Sequence, residues 1–277
     1  MDIHQFKDWF NNQSYTLIQG ILNITPDSFS DGGKFLEPEK AFLRAIKMID
    51  EGADIIDVGG ESTRPGSNSI SSDEELNRII PIIERIKKES DCLISVDTYK
   101  SSVATEAINS GASIVNDISG LTHDKKMASL IIEKNIPLIL MHMKGKPKTM
   151  QQEPFYKDVI SEICNFFKVQ INQLRKLNFS FDRIILDPGI GFGKTLEHNL
   201  LILKNLNIIR KLGHPVAIGT SRKSFIGEIL DLPIEDRIEG SISSNIVAII
   251  NGANIIRVHD IAEMKKAVFV LDRILKV

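Results

Sequence analysis

The sequence predicts a single (β/α)₈ barrel over residues 1–277, with an active site at the C-terminal ends of its strands. Short runs rich in Ile and Val recur eight times along the chain. Amphipathic stretches separate these runs, and such long connections are typical of parallel strands covered on both faces. The length of 277 residues is close to the roughly 250 usual for this barrel, and no linker divides the chain. A doubly wound open sheet remains the alternative, because periodicity does not reveal closure.

The eight apolar runs are predicted to be β-strands. A continuous apolar run, rather than an alternating one, is typical of a strand with helices on both sides. In chain order the predicted strands are Leu17–Asn23, Asp54–Val58, Leu93–Val96, Ser113–Asn116, Pro137–Met141, Arg183–Leu186, Pro215–Ile218 and Asn254–Val258.

The connections between these strands carry helix signals. Glu39–Glu51 has its apolar residues at helical spacing. Ser72 and Glu75 have the spacing of a capping box, which marks the start of a helix. Glu197–Lys211 and Asp260–Leu275 show the same amphipathic pattern as the first connection. We therefore expect strands and helices to alternate along the chain.

Composition and charge exclude several classes of protein. The 34 Lys and Arg against 36 Asp and Glu give a net charge of −2, which does not support a nucleic-acid or anionic-membrane partner. Cys92 and Cys164 cannot form a disulfide framework, as is usual in a reducing cytosol. No apolar run approaches the ~18 residues of a membrane span, and the first residues lack a secretion signal. A cytoplasmic location is therefore expected.

Polar residues directly follow the predicted strands. In a barrel these ends open onto one face, where active sites lie. A single polar strand end carries little weight, because any buried strand must reach water. Ionisable groups at successive strand ends are much stronger evidence for a site. The polar residues at the strand ends are Asp57, Asp97, Asn116, His142, Asp187, Lys223, Arg257 and His259, and all but Asn116 are ionisable.

Several familiar motifs do not fit the sequence. The segment Pro188–Thr195 looks like a phosphate-binding P-loop, but Pro188 stands where that motif requires Gly. The six histidines include no ligand pair at helical spacing, so a zinc site held by the protein is not expected. Two polar loops, Asn23–Gly33 and Gly59–Gly66, would overhang the barrel mouth, where substrate clamps and lids are built.

Eight blocks of the chain resemble, in family order, the signature blocks of the dihydropteroate synthases. Asp187–Lys194 and Ser221–Ser224 are the most specific of them. The resemblance implies a barrel that joins 6-hydroxymethyl-7,8-dihydropterin diphosphate to 4-aminobenzoate, giving 7,8-dihydropteroate and pyrophosphate in folate biosynthesis. It also implies Mg²⁺, a homodimer and inhibition by sulfonamides. The blocks are Asn23–Gly33, Asp57–Gly66, Ser95–Thr98, Val115–Gly120, Leu140–Met150, Asp187–Lys194, Gly219–Gly227 and Arg257–Asp260.

The resemblance also assigns residues to the pterin. Asp187 would accept from two N–H groups on the pterin edge, as a carboxylate does from a guanidinium. Asn116 would match the neighbouring ring nitrogens. Lys223 would cover one ring face, and Asp97 would stabilise a pterin-methyl cation as the C–O bond breaks in an SN1-like reaction. Asp57, in support of Asp97, and Met141 complete the pterin set.

The other two ligands receive their own residues by the same resemblance. A clamp for the diphosphate would include Arg257 and His259, which join Asp97 and Lys223 as the catalytic set. Asn23 would contact a Mg²⁺ ion carried mainly by phosphate and water. The remaining diphosphate residues are Thr63 and Arg64, and the 4-aminobenzoate residues are Phe29, Pro65, Phe192, Ser221 and Lys223.

Two other functions remain as alternatives. One is a methyltetrahydrofolate methyltransferase serving a corrinoid protein, which would share the pterin edge but expel no diphosphate. The set Arg64, Arg257 and His259 favours the synthase. The other is a non-catalytic relative that binds pterin or a protein, and the intact polar loops argue against it. For the homodimer, Ile246, Ile249 and Phe269 on the last helices are candidate contact residues.

Overall fold

Eight parallel strands form the centre of the molecule in a computed structural model, which describes residues 1–25, 37–63 and 66–277. Helices follow the strands and cover the outside of the sheet. The strands are β1 Leu17–Asn23, β2 Ile55–Gly59, β3 Leu93–Asp97, β4 Ile114–Asp117, β5 Leu138–Met141, β6 Ile184–Asp187, β7 Ala217–Ile218 and β8 Ile255–Val258. The helices are α1 Ile3–Asn12, α2 Glu37–Asp50, α3 Ser72–Glu89, α4 Ser101–Asn109, α5 Lys125–Lys134, α6 Val159–Lys176, α7 Leu196–Lys204, α8 Leu206–Arg210, α9 Ser224–Leu230, α10 Ile238–Ile250 and α11 Ile261–Ile274.

The sheet closes into a barrel. Its strand order is β6-β5-β4-β3-β2-β1-β8-β7. The two end strands meet where Leu186 pairs in parallel with Val216, and the Leu186 N–H donates to the carbonyl of Pro215 at 2.9 Å. The predicted (β/α)₈ barrel is therefore confirmed, and the open doubly wound sheet is excluded. Every predicted strand end lies within two residues of the observed one.

The register between strands brings polar residues to two successive levels near the barrel mouth. Asp57 on β2 lies beside Ser95 on β3. Two residues further along, Asp97 lies beside Asn116 on β4. Because these strands are parallel, all of these side chains approach the same end of the barrel.

The other end of the barrel is closed by α1, which the sequence analysis does not predict. Phe6, Trp9 and Phe10 are buried and cluster with one apolar residue from each strand, such as Leu17. The Trp9 indole N–H donates to the carbonyl of Tyr15 at 2.7 Å. The spacing i, i+3, i+4 of the three aromatic residues gives α1 one apolar face, and burial of that face accounts for its position.

Two helix predictions need correction. Ser71, and not Ser72, caps α3: its Oγ accepts from the Glu74 N–H at 3.1 Å. The predicted helix Glu197–Lys211 is two helices, α7 and α8, which meet at Asn205. The Asn205 Nδ2 donates to the carbonyl of Leu201 at 2.9 Å, and such a bond from a side chain competes with the helical pattern.

The outer face of α10 differs from the predicted dimer face. Ile249 is 6% exposed, so it is not available as predicted, whereas Ile246 packs against the core and is only partly buried; Phe269 on α11 is exposed as expected. Val247 and Ile250 are the exposed apolar residues of α10 instead. The segment is apolar at consecutive positions, so the sequence does not define which side faces the core. Of the helices that the structure describes, none is both long and apolar enough to cross a membrane.

Candidate active site

The predicted strand-end residues converge at the barrel mouth around Arg257. The Arg257 Nη2 donates to Asp57 Oδ2 and, at 3.1 Å, to Asp97 Oδ2. Burial alone would lower the pKa of Arg257, but the nearby Asp57 and Asp97 carboxylates raise it. Arg257 therefore stays protonated and joins β8 to β2 and β3.

Asp57 lies one layer below the mouth and organises its neighbours. Its Oδ1 accepts from Ser95 Oγ at 2.5 Å, and Ser95 Oγ accepts in turn from Gln19 Nε2 at 2.9 Å. Its Oδ2 accepts from Asn116 Nδ2 at 3.1 Å as well as from Arg257. Both carboxylate oxygens are thus engaged by protein donors, which fits the predicted supporting role and not direct substrate contact.

Asp97 has a strongly perturbed carboxylate at the mouth. Burial and the negative charge of Asp57 together raise its pKa to about 7, although Arg257 opposes both effects. Its side chain is 10% exposed. A carboxylate that titrates near neutral pH within a cleft is typical of functional sites.

Three buried polar atoms at the mouth form no hydrogen bond with any part of the chain that the structure describes. They are Asp97 Oδ1, Asn116 Oδ1 and Arg257 Nε. Because Asn116 Nδ2 donates to Asp57, the amide oxygen is the atom of Asn116 that remains for a ligand. Buried polar atoms are costly without partners, so these three are candidate contacts for a polar ligand.

Asp187, at the end of β6, begins a sharp turn that continues through Gly189. Its Oδ1 accepts from the Gly189 N–H at 2.7 Å. Gly189 has φ +69°, and a methyl group added there would lie 2.1 Å from the His142 carbonyl oxygen. Burial raises the pKa of Asp187, and the positive charges of Arg257 and Lys223 oppose that shift. A buried carboxylate is thus held at the mouth beside a tight glycine turn.

Lys223 and Phe192 lie side by side at the barrel mouth. The Lys223 Nζ donates to the Ile190 carbonyl and lies 4.6 Å from the centroid of the Phe192 ring. Burial lowers the pKa of Lys223 to about 8, although Asp187 opposes this. Phe192 packs with Met141 and other apolar residues, so an apolar surface lies beside the charged groups.

Ser221 and His259 contact each other at the ends of β7 and β8. The Ser221 Oγ lies 3.0 Å from His259 Nδ1 and accepts from the His259 N–H at 3.2 Å. The next residues reinforce this connection, because the Arg222 guanidinium forms two hydrogen bonds with Asp260, at 2.9 and 2.6 Å. The ends of β7 and β8 are therefore joined, with Ser221 buried and His259 half-buried.

Asn23, the last residue of β1, is the predicted contact for Mg²⁺. A methyl group added at Gly59 would lie 3.7 Å from Asn23 Oδ1 and 3.5 Å from Asp97 Cβ, so Asn23 lies across Gly59 from the charged centre. The described residues include no group of three His, Cys, Asp or Glu side chains able to hold a metal. One amide oxygen fits an ion carried mainly by phosphate and water, and does not fit one held by the protein alone.

Three predicted residues lie outside the described part of the chain: Phe29, Arg64 and Pro65. Thr63 ends the described segment before them and is half-buried.

A second polar cluster, around Glu61, is not predicted from the sequence. Glu61 Oε1 accepts from the Tyr99 hydroxyl at 2.5 Å, and its Oε2 accepts from Lys100 Nζ at 2.6 Å. Lys100 also donates to Glu75 at 2.7 Å. Glu61 and the pair Tyr99-Lys100 lie within or next to predicted motifs, but 38 residues separate them, so only the barrel brings them together.

The interior pair Gln19 and Ser95 was also missed. The signal was a polar residue inside an otherwise apolar strand, since Gln19 lies in the middle of β1. Lys194 and His142 are a third such case: Lys194 belongs to the quoted glycine-rich segment, yet its side chain is 1% exposed and its amine lies 3.1 Å from His142 Nδ1.

Comparison with known proteins gives a consistent result. The family model for pterin binding enzymes matches residues 19–259. The dihydropteroate synthase of Bacillus subtilis is 48% identical over 273 residues, covering 99% of this chain and 93% of that protein.

Solved structures agree with the sequence match. A dihydropteroate synthase from Clostridium difficile, crystallised in the presence of pteroic acid, is 45% identical with a TM-score of 0.90, covering 95% of this chain and 98% of that one. The Yersinia pestis enzyme in a sulfonamide drug complex is 39% identical with a TM-score of 0.91, covering 96% of each chain. The chain therefore belongs to the pterin-binding enzyme family and, within it, to the dihydropteroate synthases.

Proposed function

We propose that the barrel mouth condenses 6-hydroxymethyl-7,8-dihydropterin diphosphate with 4-aminobenzoate, releasing pyrophosphate and 7,8-dihydropteroate, the folate precursor. The observation that carries this proposal is the meeting of Asp57, Asp97 and Arg257 in one ion-paired centre, within the same mouth as Asp187 and Lys223. A transferase of this kind needs acceptors for the pterin edge, a cation for the leaving group and an anion near the reacting carbon. The mouth offers all three.

The pterin edge would bind between Asp187 and Asn116. An ionised carboxylate oxygen accepts more than one hydrogen bond, so Asp187 can accept from the ligand while holding Gly189. The oxygen of Asn116 would accept from a further N–H, since its Nδ2 is occupied by Asp57. Met141 and Lys223 would contact the ring, and Lys223 would also donate to the carbonyl side of the pterin.

Asp97 and Arg257 would divide the charge that develops in an SN1-like reaction. As the C–O bond breaks, positive charge grows on the pterin methylene and negative charge on the diphosphate. Asp97 would stabilise the first and Arg257 the second, and fixed charges aimed at developing charge are a large source of rate enhancement. Their 3.1 Å contact keeps both groups at the reacting bond before substrate binds.

The diphosphate would be held by Arg257, His259 and Thr63, with Arg64 as the fourth predicted member of this clamp. Arg is suited to two phosphate oxygens at once because its guanidinium is planar. Asn23 would hold Mg²⁺ through its amide oxygen, and the bound ion would neutralise charge on the diphosphate.

The 4-aminobenzoate ring would bind beside Phe192 and Lys223, with Phe29 and Pro65 as the other predicted contacts. Ser221 is proposed to meet its carboxylate. The Ser221 hydroxyl is already engaged with His259, so carboxylate binding there would also fix the His259 ring next to the diphosphate. No general base is required, because an arylamine carries a free lone pair at pH 7.

We propose that the chain acts as one domain, 1–277, and as a homodimer in the cytoplasm. A homodimer is supported by exposed apolar side chains on α9 and α10: Ile229, Leu230 and Val247 line an apolar cavity of about 360 Å³. The free thiols of Cys92 and Cys164 are both buried, which supports a reducing compartment. No nucleic-acid or membrane partner is proposed.

The experiment that tests the function is release of pyrophosphate with purified protein, Mg²⁺ and both substrates. Pyrophosphate should form only when 4-aminobenzoate is present, in equal amount to 7,8-dihydropteroate. A corrinoid-linked methyltransferase would release none, and a non-catalytic pterin-binding protein would bind the substrate without turnover. Either result would overturn the proposal.

A further inference from the structure

A fully buried lysine lies outside the set that contacts substrate in the proposed function. Lys194 ends the glycine-rich segment Asp187–Lys194, immediately before α7, and its side chain is 1% exposed. Its Nζ donates to the Phe192 carbonyl at 2.9 Å and to the His142 carbonyl at 3.4 Å, and lies 3.1 Å from His142 Nδ1. All of these partners are neutral. No ion pair with Lys194 forms within the described ranges of the chain.

A buried lysine with neutral partners is an expensive arrangement. Burial lowers its pKa well below the ordinary value, and burial also lowers the pKa of His142 to about 2. His142 is therefore neutral at physiological pH, and its Nδ1 can accept from the amine. A residue such as Met would fill the same space without the cost of burying an amine. The amine is thus expected to have a function beyond filling space.

The contacts of Lys194 join two segments of the barrel mouth. His142 directly follows β5, and its N–H donates to the Asp187 carbonyl at 2.8 Å. Methyl groups added at Gly189 and Gly193 would lie 2.1 Å from the carbonyl oxygens of His142 and Lys144. The glycine-rich segment therefore lies directly against the residues that follow β5, and Lys194 bonds the two together from inside.

The far side of the same segment faces the ligand groups. The Ile190 carbonyl accepts from Lys223, and the Phe192 ring lies 4.6 Å from the Lys223 amine. The Phe192 carbonyl is the group that Lys194 holds. Displacement of that carbonyl would rotate Phe192 and remove the contact that orients Lys223.

We propose that Lys194 is a positioning residue which, through His142 and the Phe192 carbonyl, fixes residues 189–193 so that Phe192 and Lys223 form the wall for the arylamine. The inference rests on the proposed function for the identity of that ligand. Asp187 has its own bonds within β6 and to Gly189, so the pterin edge depends less on Lys194.

The test compares Lys194→Met with the control Lys204→Met, which changes an exposed lysine on α7. Hydrogen exchange of the ligand-free protein should show amides 189–193 exchanging at least ~10-fold faster in Lys194→Met only. If the competent conformation falls to about a tenth of the population, the apparent KM for 4-aminobenzoate rises about tenfold. The KM for the pterin diphosphate should change less than about twofold.

A second variant keeps the proposal testable if Lys194→Met does not fold. His142→Phe removes the Nδ1 acceptor and keeps the ring contact with Phe166, whose centroid is 5.0 Å away. It should show the same changes at smaller size. Unchanged exchange and an unchanged KM for 4-aminobenzoate in a folded variant would overturn the proposal. Because the exchange measurement uses no substrate, it is independent of whether the wild-type protein releases pyrophosphate.

Discussion

Arg257 bonds to Asp97 at 3.1 Å through the same nitrogen that pairs with Asp57. The Arg257 Nη2 group thus donates to two carboxylates, while Arg257 Nε has no partner among the described residues. A bound diphosphate would compete for this guanidinium. Arg257 lowers the pKa of Asp97, so a weaker contact between the two would favour the protonated form of this carboxyl. The first predictions address this relationship.

Replacing Arg257 by Lys should lower kcat more than it raises the KM for the pterin diphosphate. Lysine keeps the charge but loses the planar group that spans two oxygens. A clamp directed at charge that grows in the transition state contributes mainly to kcat. We expect a loss of ~10- to 1,000-fold in kcat, measured by steady-state pyrophosphate release. The control Arg273→Lys changes an exposed arginine on α11. A change in KM alone would mean that Arg257 binds ground state and transition state equally.

The pH profile of kcat/KM for the pterin diphosphate should have an acidic limb near pH 7 in the free enzyme. Asp97 must be ionised to stabilise the cation, and burial raises its pKa to about 7. Asp57→Asn removes the like charge, so the limb should move to lower pH; a limb that stays in place would exclude Asp97 as its origin.

The same carboxylate should make stability depend on pH. Because the pKa of Asp97 is raised in the folded state, this carboxyl binds more protons in the folded protein than in the unfolded chain between about pH 4 and pH 7. The contribution of Asp97 to the free energy of unfolding therefore decreases as pH rises through this range. The free energy of unfolding, measured with urea at several pH values, should decrease less or increase more from pH 4 to pH 7 in Asp97→Asn than in the wild type. Equal slopes would contradict the raised pKa.

Asp187→Asn should leave the fold intact and weaken pterin binding. An amide cannot accept at both of its terminal atoms, and a ligand donor left unpaired costs ~1–3 kcal/mol, about 5- to 150-fold in affinity. Calorimetric titration with the pterin diphosphate measures the effect. Asp182→Asn, at an exposed position before β6, is the matched control. Near-native affinity in a folded Asp187→Asn protein would remove Asp187 from the pterin edge.

Gly193→Ala should destabilise the protein far more than Gly52→Ala. Both glycines have positive φ, which costs an L-residue ~1–2 kcal/mol. At Gly52 the added methyl would meet only the flexible Lys265 side chain at 3.3 Å, whereas at Gly193 it would meet the Lys144 carbonyl at 2.1 Å. The collision should add ~1–3 kcal/mol to the loss, measured by urea unfolding. Equal losses would mean that the segment can move away from β5.

The strands could be predicted from the sequence because a strand buried on both faces is a continuous apolar run. The polar residues that follow each strand could be predicted for the same reason. The exposed face of α10 could not be predicted, since residues 246–250 are apolar at every position. Two features depended on barrel closure: the pairing of Arg257 with Asp57, 200 residues away, and the burial of Lys194. The sequence identified these residues or their segment but not their partners.

The helix α1 seals the end of the barrel opposite the substrates, and it contains Trp9, the only tryptophan in the chain. The protein therefore carries an intrinsic fluorophore at its closed end, with the pterin and arylamine groups bound at the other end. Tryptophan emission should follow detachment of α1 and loss of the barrel, and its wavelength should be insensitive to local rearrangements at the mouth. The wavelength of tryptophan emission can thus report unfolding separately from ligand binding.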